Sequence, residues 1–284
     1  MSTTSAKRSS PFEKSAAFYD LIHADKDYDN EAELVLLHMS GGNLSGGTDK
    51  TPPHEWASDA IVVDYGCGTG QFAKRLARYC RRVDGADPSQ SMYDVAVDRC
   101  REFKNLRFSV ADILSHNAAN SGRVWYSGGC CMFGAMSYAA ASPCSLVSQL
   151  LAIRRTMAKG GRFVFDVVNY AACVASFHKY SSSATQLPDG GRLIRDMTKS
   201  FNVHLGIVEI AIRFDLHPAV GDVDTWQERH VMRAFTPHEI AMAANEAGWN
   251  LEYQFPAPGT PSDEENSVIV GPHDYYFWNV LSSR

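Results

Sequence analysis

Val62-Val63-Asp64-Tyr65-Gly66-Cys67-Gly68-Thr69-Gly70 is the stretch that decides how this 284-residue chain folds. Residues 60–64 (AIVVD) form a short apolar run suited to a buried strand. Three glycines at alternate positions follow, and a helical pattern opens at Gln71. Glycines there let the backbone turn sharply and approach a ligand with no side chain in between. The helix start adds free N–H groups. Such turns are shared by many nucleotide-binding folds, so they mark a site and not a ligand.

Downstream, strand and helix patterns alternate. Residues 71–79 predict a helix, 82–86 a strand, 91–103 a helix and 106–111 a third strand. A fourth strand over 126–133 is weakened by Gly128 and Gly129. A helix over 145–157 is stopped by Lys159-Gly160-Gly161, and 162–168 (RFVFDVV) is a fifth strand. This order implies a doubly wound parallel sheet with helices on both faces.

After Asn169 the pattern changes. Residues 193–200, 207–216 and 225–235 read as three strands without intervening helices, an antiparallel insertion. Thr236-Pro237-His238-Glu239 then supplies a helix cap, a proline at the first helical position and a glutamate at the third. That helix runs to Ala247, and 249–255 and 275–281 are closing strands. Upstream, residues 1–10 read as a disordered tail, 11–39 as mainly helical and 40–53 as a flexible loop. The chain thus divides into 1–57 (tail, lid helices and loop), 58–172 (core), 173–235 (cap insertion) and 236–284 (completion of the core).

Hydrophobic residues make up 45% of the chain and charged residues 21%, an ordinary globular balance. A net charge of −5 gives no broad basic footprint for a phosphate backbone, so nucleic acid is not an expected partner. The seven cysteines show no CxxC spacing and read as reduced thiols. The ten histidines show neither HxH nor HExxH, so no metal is expected. No apolar run approaches the ~18 residues of a membrane span, and no secretory signal opens the chain. The expectation is a cytoplasmic protein that does not enter membranes.

Three acids sharpen the glycine site. Asp64 ends the first strand just before the glycines, where a carboxylate suits an ammonium and would oppose a pyrophosphate. Asp87 ends the second strand, at the distance expected of an acid that bonds ribose hydroxyls. Asp112 ends the third. On one sheet edge the three can hold an ammonium, a ribose and an adenine amine, all of which S-adenosylmethionine (SAM) carries. A nicotinamide dehydrogenase is the competing reading, but it prefers G-x-G-x-x-G, and here the third glycine comes one residue earlier.

These residues resemble the Rossmann-like class I SAM-dependent methyltransferases, whose loop reads (D/E)-x-G-x-G-x-G. The resemblance runs from about residue 18 to 281, with 40–53 extra. It implies a seven-stranded, mostly parallel sheet of order 3-2-1-4-5-7-6 with the last strand antiparallel. It also implies that the turn of Gly66, Gly68 and Gly70, with Phe133, binds the cofactor, and that Asp64 and Gly66 lie near the methionine part of SAM. Asp87 would hold the ribose, Asp112 and Ile113 would meet the adenine, and Met92 would pack against it.

Residues 18–28 (FYDLIHADKDY) and 229–240 (RHVMRAFTPHEI) resemble segments of small-molecule methyltransferases, including those acting on nucleotide-linked sugars. The first would form a lid with Tyr19 near the methionine end. The fourth strand departs from the pattern. Ser127 replaces an acid, and Gly134 stands where many relatives carry His, which removes a base from that position. Ser127 and the separated Asp166 and Asn169 also argue against magnesium.

The end of this strand, from Phe133 to Tyr138, is expected to face the methyl group. SAM brings an activated methyl, so the protein has to align the acceptor, exclude water and, where needed, remove a proton. His230 and Tyr138 are the catalytic candidates, and Met136, Ser137, Asn169 and Tyr170 the acceptor contacts. The sequence thus predicts methylation of a nitrogen or oxygen on a small polar metabolite such as a sugar nucleotide, by a monomer or homodimer, with S-adenosylhomocysteine as product. The alternatives are a non-catalytic SAM-binding regulator and a nucleic-acid methyltransferase. The latter lacks an Asn/Asp-Pro-Pro-Tyr motif here.

Overall fold

The computed structural model describes residues 8–9, 11–42, 54–123, 125–175, 177–257, 270 and 274–284. The chain opens with a two-residue strand β1 (Arg8–Ser9), a 3-10 turn (Ser15–Phe18) and helices α1 (Tyr19–Ile22), α2 (Tyr28–Ser40) and α3 (His54–Asp59). The alternating core follows: β2 (Ile61–Tyr65), α4 (Gln71–Leu76), β3 (Arg82–Asp87), α5 (Gln90–Arg99), β4 (Leu106–Val110), α6 (Ile113–Asn120), β5 (Tyr126–Cys131), α7 (Ala135–Ala139), α8 (Pro143–Arg154) and β6 (Met157–Asn169). Next come α9 (Tyr170–Ala175) and the antiparallel run β7 (Tyr180–Gln186), β8 (Arg192–Asn202), β9 (Ile207–His217) and β10 (Asp224–Phe235). Helix α10 (Pro237–Glu246) and strands β11 (Trp249–Pro256) and β12 (Tyr276–Ser283) close the fold.

Local chemistry fixes the helix starts. Ser89 accepts from the Met92 N–H to cap α5, and Asp112 caps α6. Ser142 and Ser145 form a capping box on α8, with Pro143 at its start. Thr236 and Glu239 form the box read from the sequence, each side chain accepting the other's backbone N–H.

Strands β2 to β6 are parallel, β12 runs antiparallel to β6, and β11 antiparallel to β12. The sequence reading of a seven-stranded sheet needs correction, because the described residues form one twelve-stranded sheet. Its main path is β4-β3-β2-β5-β6-β10-β9-β8-β7, with β12 and β11 branching from β6 and β1 paired to β10. The reason lies in β6, which is thirteen residues long. It bonds β12 over Arg162–Val168, while Val168 and Asn169 pair in parallel with Ala234 and Phe235 at the end of β10. The insertion is therefore a continuation of the sheet and not a separate layer.

Further expectations change. The insertion has a fourth strand, β7, and Arg8 and Ser9 of the expected tail pair with Gln227 and Glu228. Lys159-Gly160-Gly161 belongs to the start of β6, and the preceding helix ends earlier, at Arg154. Most of the 40–53 loop lies outside the described residues. Gly128 and Gly129, read as weakening the fourth strand, make room. A Cβ on Gly128 would come within 2.8 Å of Met39 Sδ on α2, and one on Gly129 within 2.8 Å of Val63 Cγ1.

Whereas β7 is largely exposed, the core of the sheet is buried on both faces. One core packs α8 and α10 on it through Leu146, Leu150, Ile240 and Ala244, and the other packs α2 and α4 through Val35, Leu36, Phe72 and Leu76. No helix among the described residues is long and apolar enough to cross a membrane.

Candidate active site

The strand ends of β2 to β5 open onto a cavity of about 700 Å³. Gly66, Gly68 and Gly70 take φ values of 68°, 53° and 76°, a region only glycine enters freely. A Cβ at Gly66 would lie 2.5 Å from Ala135 Cβ, so the turn and α7 touch here without a side chain between them. Of the residues predicted for the cofactor, Tyr19, Asp64, Gly66, Gly68, Asp87, Met92, Asp112, Ile113 and Phe133 line the cavity. Gly70 stands behind the wall as the N-cap of α4.

The three acids differ. Asp64 is buried. Its Oδ1 lies 3.5 Å from Cys130 Sγ, and its Oδ2 has no hydrogen-bond partner. Burial pushes its carboxyl up to about 7. An orphaned carboxylate oxygen at a cavity wall calls for a cationic ligand. Asp87 accepts the N–H groups of Gly68 and Ser89, each at 2.9 Å, which ties β3 to the glycine turn. Asp112 Oδ1 accepts Ser115 N–H and Oγ–H at 2.7 and 2.6 Å, so part of this carboxylate is occupied by helix capping.

The roof comes from the N-terminal segment. Asp20 accepts Thr69 Oγ1–H at 2.8 Å and pairs with Arg99, fixing α1 over the glycine turn. Pro11, Phe12 and Glu13 also line the cavity, and the Phe12 ring meets Tyr19, Tyr138 and His230 edge to face. Among the described residues, Phe12 and Phe133 are the two non-glycine positions with positive φ, at 61° and 64°, and both face this space. Asp166 holds the Phe133 turn by accepting the N–H groups of Phe133 and Gly134 at 2.9 and 2.6 Å. Lys26 Nζ lies 3.0 Å over the Phe133 ring, and burial lowers its pKa.

His230 sits behind the wall. Its Nδ1 is 2.9 Å from the hydroxyl of Tyr138, which does line the cavity, and its Nε2 is 3.4 Å from Glu228 Oε2. Glu228 also accepts Phe12 N–H, Ser15 N–H, Ser15 Oγ–H and Trp226 Nε1–H. Burial works against its charge, but the bonds from His230 and Ser15 outweigh it and hold the carboxyl below its ordinary value.

The four predicted acceptor contacts have other roles. Met136 is buried in the core beneath α8. Ser137 Oγ accepts Val168 N–H. Asn169 bonds Asp274 and Ala171, and Tyr170 donates to the Val203 carbonyl. None of the four lines the cavity, and their side chains are engaged in packing or in structural hydrogen bonds. Sequence reading also missed Glu228, Lys26 and Phe12. Glu228 was within reach, since it lies two residues before His230 on one strand and so shares its face.

Residues 62–161 match a sequence-family profile described as a methyltransferase domain. No curated protein matches the chain by sequence. Among solved structures, the chain is similar to the sugar N-methyltransferase KedS8 from Streptoalloteichus sp ATCC 53650 (TM-score 0.72, 17% identity, 99% of this chain and 97% of that one). It is similar to an S-adenosylmethionine-dependent methyltransferase from Clostridium acetobutylicum ATCC 824 (TM-score 0.71, 17% identity, 96% and 98%). A third is DesVI of Streptomyces venezuelae (TM-score 0.70, 16% identity, 95% and 98%). The profile match thus covers the glycine turn and strands β2 to β5, and the fold of the chain is the one these solved methyltransferases have.

Proposed function

We propose that this protein transfers a methyl group from SAM to a nitrogen or oxygen of a small polar metabolite. The observation that carries the reading is the buried, unpartnered Oδ2 of Asp64 on a cavity wall made by left-handed glycines. In this reading Asp64 takes the ammonium of SAM, and Lys26, above Phe133, takes its carboxylate. Asp87, oriented by Gly68 N–H, takes the ribose hydroxyls, and Met92 and Ile113 flank the adenine. SAM supplies a methyl already activated on a sulfonium. The chain contributes alignment, exclusion of water by Phe12 and Tyr19, and removal of the acceptor's proton.

The proton path runs outward from the cavity. With its own proton on Nε2 toward Glu228, His230 accepts the Tyr138 hydroxyl proton on Nδ1, and Tyr138 in turn receives one from the acceptor. The imidazolium so formed faces the Glu228 carboxylate. Strands β7 to β10 cover this region as an acceptor cap.

Calorimetric titration with SAM and S-adenosylhomocysteine tests the reading. Both should bind, and Asp64→Asn should weaken SAM; no heat from either compound with wild-type protein would end the proposal. Incubation with methyl-labelled SAM and a small-metabolite extract separates an enzyme from a mere binder, since only the enzyme labels a product.

A further inference from the structure

The inner face of the cap carries a cation that none of the described residues neutralises. Arg195 of β8 lies opposite Ser183 of β7 and Phe214 of β9. Leu193 and Met197, two residues to either side, share its face and pack with Phe18 and Ile22 of the N-terminal lid. Arg195 therefore points toward the lid. Its charge is felt there by Tyr19, which lines the cavity, and by His23, whose pKa burial and Arg195 hold down at about 4.

Arg195 Nε is buried without a hydrogen-bond partner, and among the described residues the guanidinium forms no ion pair. The nearby acids are turned away. Asp196 lies on the opposite face and bonds Tyr180 and Ser182, and Asp215 bonds Arg213 and Thr225. A second donor lies alongside. Ser181, on the same face two residues from Ser183, has a buried Oγ with no partner. Diagonal neighbours on adjacent strands are ~7–8 Å apart, within the reach of one anion bridging serine and arginine.

Keeping a half-buried guanidinium unpaired costs stability, and an anionic ligand would remove that cost. We propose that Arg195, with Ser181, binds an anionic group of the methyl acceptor, a phosphate or a carboxylate. The inference rests on the methyltransferase reading and narrows its substrates to acids. Tyr19 stands between this anchor and the cofactor cavity, so the anion binds at the outer end of the acceptor while the reacting atom reaches Tyr138.

The test uses the full chain saturated with S-adenosylhomocysteine, titrated by calorimetry with inorganic pyrophosphate, uridine diphosphate and galacturonate. At least one probe should bind, more weakly as salt rises. Arg195→Gln should weaken it by about tenfold or more, the scale of one charge-assisted hydrogen bond. Preference for the diphosphates or for galacturonate identifies the anion as phosphate or carboxylate. The variant should bind S-adenosylhomocysteine like wild type and melt at the same or a higher temperature, since it loses no bond. Absence of binding by all three probes, equal binding by the variant, or a variant that melts several degrees lower would each overturn the assignment. Failure of S-adenosylhomocysteine itself to bind would instead strike the underlying methyltransferase reading.

Discussion

Asp64 makes a signed prediction about pH. An unfolded aspartate titrates near 3.9, whereas burial lifts this one to about 7. Between those values the folded protein holds a proton that the unfolded chain does not. The stability of the unliganded protein should therefore fall as pH rises through that window. Asp166 and Glu31 are raised as well, so the readout is the difference between wild type and Asp64→Asn, not the slope itself. The variant should melt no lower than wild type at pH 7 and bind SAM about tenfold or more weakly, as loss of a charge-assisted bond requires. SAM binding at pH 6 should release a proton, seen by calorimetry in buffers of different ionisation enthalpy; binding without release would count against the ammonium contact. Tyr138→Phe and His230→Ala should cut turnover by ~10²–10⁴, the usual span of general acid–base catalysis, with SAM affinity near normal. Unchanged turnover in His230→Ala would remove it from the mechanism. Asp64, Asp87 and Asp112, which all line the cavity, were legible because each ends a strand at a spacing that chemistry recognises. Tyr138 and His230 were legible singly, but their bond joins residues 92 positions apart and no local pattern announces it.

At the scale of elements, Glu228 is a central anchor of the N-terminal segment, beside the Lys14–Asp224 ion pair and the bonds of Asp20 to Thr69 and Arg99. Glu228 receives three hydrogen bonds from residues 12–15, and the segment it anchors lines the roof of the cavity. Each buried donor left unpaired costs about 1–3 kcal/mol, so Glu228→Leu should release this segment well before it unfolds the core. Amide exchange at Phe12 and Ser15 should speed up and SAM should dissociate faster; unaltered protection of both amides would show that other contacts hold the roof. Sequence patterns found β2, β3, β6 and α10, whose apolar periods and caps are strong. They missed β7, because Tyr180-Ser181-Ser182-Ser183-Ala184-Thr185-Gln186 has almost no apolar alternation and owes its strand form to the ladder with β8. They missed β1 for the same reason, since two residues gain extended structure only by pairing with β10.

At the scale of the molecule, the insertion and the core share one sheet through the junction of β6 with β10. Two further clusters support the cap. One sets Val168 and Cys173 against Val208 and Met232, and the other packs Leu193, Phe214 and Trp226 under the lid. Calorimetry should therefore show one unfolding transition with equal calorimetric and van't Hoff enthalpies; two separated transitions would mean that the cap melts alone. The sequence reads an antiparallel insertion over 173–235 but not that it extends the sheet, because the pairing depends on two residues at the end of a long strand. This continuity has a consequence for traffic. A wall welded to the main sheet moves with it, so in the proposed reaction cofactor and product pass by way of the N-terminal roof and not through the cap strands. The roof is secured by the Glu228 carboxylate, by the Lys14–Asp224 and Asp20–Arg99 ion pairs and by a few rings, so residues 11–20 are the doorway of the proposed reaction.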